Sequence, residues 1–202
     1  VSRTPAAQRI TGIALGLVSL GLLVVLTVLL PEAEGSTDSD APKLPDTIEV
    51  PVELTAMDLT AGKSGAEVET AETQGELYAK SAEELETIFG AKAAVRSYSD
   101  EQQQVQLTVT AVAVEAGAYT PAGPPVDAAL LGLERSTREL VKVGEGVCAV
   151  YWSQPVAEGE EIPDEQPSGL QCQLGADGTT WLLEGVGLDP EEAIEVLENL
   201  AA

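Results

Sequence analysis

Cys148 and Cys172 are the residues of this 202-residue chain whose types and spacing point most directly to chemistry. Each stands in an alternating apolar stretch, Cys148 in line with Val150 and Trp152, Cys172 in line with Leu170 and Leu174. A strand turns every second side chain to the same face, so both thiols belong on apolar faces. If the two strands lie side by side, joined by the acidic loop Gln154–Ser168, the thiols meet and oxidise to a disulfide. Closing a loop of about 25 residues would stabilise the fold by roughly 3 kcal/mol. The pair lacks CxxC spacing and the chain has no histidine to lower a thiol pKa, so a redox-active role is not expected. The alternative is two buried free thiols acting as small apolar side chains.

Other candidate chemistry is sparse. The absence of histidine removes Ser-His-Asp and Cys-His pairs, histidine metal sites and most general bases working near neutral pH. Ala61-Gly62-Lys63-Ser64 ends like a phosphate-binding loop, but Met57 stands where the first glycine is required. Glu83/Glu84, Glu160/Glu161 and Glu191/Glu192 are adjacent acids. A hydrolytic carboxylate pair must instead face across a cleft, about 5–9 Å apart. Asp38-Ser39-Asp40 and the stretch Glu158–Glu165 could hold Ca²⁺ weakly, without the glycine and distal glutamate of an EF-hand loop. Trp152 and Trp181 fall on apolar strand faces, as core residues do. No catalytic, cofactor-binding or metal-ligating residue is assigned, and no cofactor is expected. The disulfide Cys148–Cys172 is the one site expected.

The elements that would position these residues begin with Ile10–Leu30, twenty-one residues without a charge. As a helix this run is roughly 30 Å long, the thickness of a bilayer's hydrocarbon core. Arg3 and Arg9 precede it and Glu32 and Glu34 follow, so a cytoplasmic N-terminus is expected. The alternative is a cleaved signal peptide, whose apolar core is usually shorter; Ala33-Glu34-Gly35 is a poor cleavage site. Residues 31–46 combine proline, glycine, serine and acid and read as a disordered, solvated stalk. The expected organisation is therefore 1–9 cytoplasmic, 10–30 a single-pass transmembrane signal-anchor helix, 31–46 stalk, and 47–202 one extracytoplasmic domain. About 155 residues suffice for one core.

Within that domain the periodicity predicts a strand over Thr47–Leu54 and a loop over 57–77. Ser81-Ala82-Glu83-Glu84 predicts a capped helix of about ten residues ending at Gly90. Strands are predicted at Ala93–Tyr98, Gln104–Val114, Leu140–Val143, Val147–Trp152 and Gly169–Leu174. Asp177-Gly178 is a hairpin turn leading into Thr179–Val186, and Asp189-Pro190-Glu191-Glu192 opens a second short helix. Strands, turns and two short capped helices imply an α+β fold with an antiparallel sheet.

Beyond residue 30 lie eight basic and 34 acidic residues, a net of −26. Such a field repels phosphate backbones and anionic headgroups, so nucleic acid is not an expected partner. Scarce lysine with abundant alanine, valine and glutamate resembles the composition of proteins from high-GC Gram-positive bacteria. The expected partners are the membrane, through one spanning helix, and a protein of the cell envelope. The expected role is a non-enzymatic interaction or envelope-maintenance domain. The rivals are an exported carboxylate-dependent hydrolase and a carrier of small hydrophobic ligands.

Overall fold

Eight strands form one antiparallel sheet, and its centre is the alternating segment Val105–Ala111. Val105, Leu107, Val109 and Ala111 are buried on one side, while Gln106, Thr108 and Thr110 face the other. The computed structural model describes residues 41–202. The expected cytoplasmic segment 1–9, the spanning helix 10–30 and Asp38-Ser39-Asp40 lie outside the described residues. Among the described residues no helix is long and apolar enough to cross a membrane.

The strands are β1 (Thr47–Ile48), β2 (Leu54–Ala56), β3 (Ala93–Ser99), β4 (Gln106–Val112), β5 (Leu133–Arg135), β6 (Arg138–Val143), β7 (Gly146–Tyr151), β8 (Val156–Ala157), β9 (Gly169–Ala176) and β10 (Thr179–Val186). Among the described residues the helices are α1 (Ala66–Phe89) and α2 (Pro190–Ala201), with a 3-10 turn at Ala128–Leu131. The sheet order is β1-β2-β3-β4-β10-β9-β7-β6, and β5 and β8 pair separately as a small ribbon. Among the described residues the fold is α+β with an antiparallel sheet and two helices, as the sequence implies.

One face of the sheet carries the core: Tyr98, Leu107, Val109, Trp181, Leu183, Leu170, Cys172, Cys148 and Val150. Helix α2 covers it with Ala193, Ile194, Val196 and Leu197. The helix begins where its sequence says. Asp189 caps it, accepting from the Glu192 N–H at 2.8 Å, while the Glu192 carboxylate accepts from the Asp189 N–H at 2.9 Å. The other face carries Ser97, Thr108, Leu182 and Glu184. Tyr78 and Gln74 of α1 share a cleft with Ser97 and Thr108 there, and the connection 115–127 crosses it farther along, Pro121 and Pro125 lying by Leu140 and Ala149.

Two expectations are corrected. The first helix is 24 residues long and begins after Gly65, so residues 66–77 are helix and Ser81 is interior, not a cap. Val68, Ala71, Gly75, Tyr78, Ala82 and Leu85 recur at helical spacing and are buried or half-buried. Half of them are small, so the stripe is weak in hydrophobicity although it packs closely. Thr70 and Thr73, in the stretch expected as loop, bond back one turn instead, their hydroxyls donating to the carbonyls of Ala66 and Glu69, as Thr87 does to Glu83. The second correction is Thr47–Leu54, which is not one strand. It folds back on itself, with Ile48 opposite Leu54 and Pro51 in the turn, so both apolar residues reach the core.

The chain is held from just before β1. Arg96 on β3 donates to the Leu44 and Pro45 carbonyls and to the carboxylates of Asp46 and Asp58, and the Tyr98 hydroxyl donates to the Pro45 carbonyl at 2.9 Å. Burial lowers the pKa of Arg96 in tendency, yet its two carboxylate partners outweigh this and raise it, so the clamp stays charged.

Candidate functional site

Strand pairing brings the two cysteines together. β7 and β9 are antiparallel neighbours, and Cys148 stands directly opposite Cys172 in their register. Their Cα atoms are 4.0 Å apart and the sulfurs are bonded. That separation belongs to the closer, non-hydrogen-bonded kind of antiparallel pair. The expected disulfide is present and fully buried, and its two ends are 24 positions apart in sequence. The bonded Cys148 Sγ lies 3.8 Å from the Pro190 carbonyl oxygen, so the bridge sits beneath the first turn of α2.

Beside the bridge, β7 is followed immediately by Trp152, which continues the line of Cys148 and Val150 and is half-buried. Its indole Nε1 donates to the Glu139 carboxylate on β6 at 2.7 Å. The Arg135 guanidinium lies over its ring, 3.9 Å from Cζ to the centroid. Arg135 is only 4% exposed, and its Nη2 donates to Glu165 of the acidic loop at 2.6 Å. Among the described residues its Nε has no hydrogen-bond partner. The electron-rich face of the indole supplies part of what that group loses on leaving water.

Trp152 and Glu165 border a cleft of about 390 Å³ between the acidic loop and the start of α2, lined also by Asp164, Asp189, Pro190 and Glu192 among others. Three of its four carboxylates are engaged: Glu165 by Arg135, and Asp189 and Glu192 by each other's backbone N–H. The cleft is thus a structural joint as well as a surface. Among the described residues no group of three or more acidic or cysteine side chains is arranged to hold a metal ion.

The paired acids of the sequence do not face one another across this cleft. Glu83 and Glu84 lie on the exposed side of α1, Glu160 and Glu161 are exposed in the loop, and Glu191 is exposed in the first turn of α2. Lys63 donates to the Met57 carbonyl at 3.0 Å, closing the loop before α1 rather than cradling a phosphate. Trp181 is a core residue on β10, whereas Trp152 is both packed on the core and part of the cleft wall.

Sequence reasoning missed Arg135 and the whole stretch 128–135. A signal was present: Asp127 caps the 3-10 turn, accepting from the Ala129 N–H at 3.1 Å, and Gly132 ends it in the left-handed region. That start-and-stop pair is legible in Asp127-Ala128-Ala129 and Gly132, but a single turn has no periodicity to support it. No family model, no curated protein and no solved structure matches this chain.

Proposed function

We propose that this chain is a single-pass membrane protein of the cell envelope whose extracytoplasmic α+β domain works by binding another protein rather than by catalysis. The observation that carries the reading is the buried Cys148–Cys172 bridge. Such bonds persist in oxidising compartments and are rare where thiols are kept reduced. A fold built around one fits the far side of the membrane from Arg3 and Arg9, with Ile10–Leu30 as the anchor. The chain's lack of histidine argues for binding over acid–base chemistry near neutral pH.

Protease added outside intact cells stripped of their wall tests the topology. Digestion of the region from residue 31 onward is the expected result. Protection of that region while a known external protein is digested would overturn the proposal.

A further inference from the structure

The 3-10 turn displays two leucines to solvent. Leu130 is 82% exposed and Leu131 is 60% exposed, with Val126 just before the turn at 53%. Leaving such side chains in water forgoes the favourable transfer that burial would give them. The turn is not a loose loop. Asp127 caps it, the Gly132 N–H donates to the Ala129 carbonyl at 3.1 Å, and the Glu158 N–H donates to the Gly132 carbonyl at 3.1 Å. This last bond, with Leu133 opposite Ala157 in the β5–β8 ribbon, fastens the turn alongside the acidic loop.

The loop decides the partner's charge. Residues 153–168 contain Glu158, Glu160, Glu161, Asp164 and Glu165 and no lysine or arginine. Ile162, 49% exposed, stands among these acids. Against these five carboxylates stand Arg135 of the adjoining ribbon, buried and committed to Trp152 and Glu165, and the exposed Arg138 by Pro125, so the surface remains net acidic.

We infer that Val126, Leu130, Leu131 and Ile162, with the carboxylates of the acidic loop beside them, form a docking surface for a basic amphipathic segment of a partner protein. Aliphatic side chains of the partner cover the leucines, and its lysines or arginines meet the loop. The pre-fastened turn lowers the ordering cost of binding. A second copy of this chain would set like charges against each other, and anionic lipid would be repelled. The inference rests on the proposed interaction role and names its surface and the chemistry of its partner.

The test uses the full chain in nanodiscs of zwitterionic lipid, with empty discs as the blank. The probe is a labelled helical peptide of leucine and lysine with one apolar face, read by fluorescence anisotropy. L130S/L131S and E160K/E161K should each weaken binding by about tenfold or more, as removal of central contacts does. E67K/E69K, an equal charge change on exposed positions of α1, should change it by about twofold or less, as screened distant charges do. Equal weakening by both charge variants with no effect of L130S/L131S would reduce the binding to bulk attraction and overturn the inference. So would absence of peptide binding, or a dimer of the free protein that L130S/L131S dissociates. Failure here with external digestion intact sinks the surface alone, whereas protection from protease sinks the topology and leaves the peptide result standing.

Discussion

Arg135 and Trp152 are stacked, guanidinium over indole at 3.9 Å, and this contact ties the β5–β8 ribbon to the end of β7. The Glu165 carboxylate completes the tie, and the side chains of the pair differ in exposure, 4% for Arg135 and 40% for Glu165.

That asymmetry sets an order of mutational cost. E165A leaves a buried guanidinium without its charged partner and should cost about 2 kcal/mol, whereas R135M leaves only a carboxylate that water can reach and should cost about 1 kcal/mol or less. Urea midpoints read by tryptophan fluorescence measure both. The reverse order would mean that Arg135 does not depend on Glu165.

The Cys148–Cys172 bridge closes its loop across two neighbouring interior strands, β7 and β9. C148A/C172A should lower stability by about 3 kcal/mol, chiefly by freeing the unfolded chain. Thiol labelling of the unfolded protein should find no reactive thiol before reduction and two after. Two thiols without reductant would contradict the bridge.

Two tyrosines make the fold sensitive to alkali. Burial, with Tyr151 and Glu184 nearby, pushes the Tyr119 phenol up to about 12, and burial raises Tyr98 further despite the neighbouring Arg96. A raised folded pKa means that stability is fully present below the unfolded value near 10 and falls as pH rises through the folded values. Unfolding midpoints should therefore hold steady up to about pH 10 and decline above it. Y119F should lessen the decline, and an unchanged slope would show that Tyr119 is not shielded.

Gly187 joins β10 to α2 at φ +83, and a Cβ there would press directly on the Gln104 carbonyl oxygen and lie 3.0 Å from the Val105 Cα. Gly62 also has positive φ, +78, but open space around it. G187A should cost about 3 kcal/mol or more and G62A about 1 kcal/mol, since only the first adds a backbone clash to the conformational strain. Equal thermal shifts for the two variants would refute the clash.

Much of this fold is written in local pattern. The alternation of Leu107, Val109 and Ala111, the Asp177-Gly178 hairpin and the Asp189–Glu192 capping box each depend on residues a few positions apart, so each is legible in sequence and present in the structure. The cysteine pairing was legible too, because Cys148 and Cys172 lie on strands that a single loop joins. Other features required the assembled sheet. Ala71, Gly75 and Ala82 become a packing face only in the assembled fold, where the helix lies against β3 and Gly75 faces Asp58, and their small size hides the stripe from any hydrophobic period. Thr47–Leu54 folds back because Ile48 and Leu54 gain the same core, a destination that alternation alone does not reveal. Arg135 finds Trp152, 17 positions away, and Glu165, 30 positions away, through strand and loop placement. Local rules act within a turn or a strand; contacts between distant residues are selected by which surfaces the whole chain can bury together.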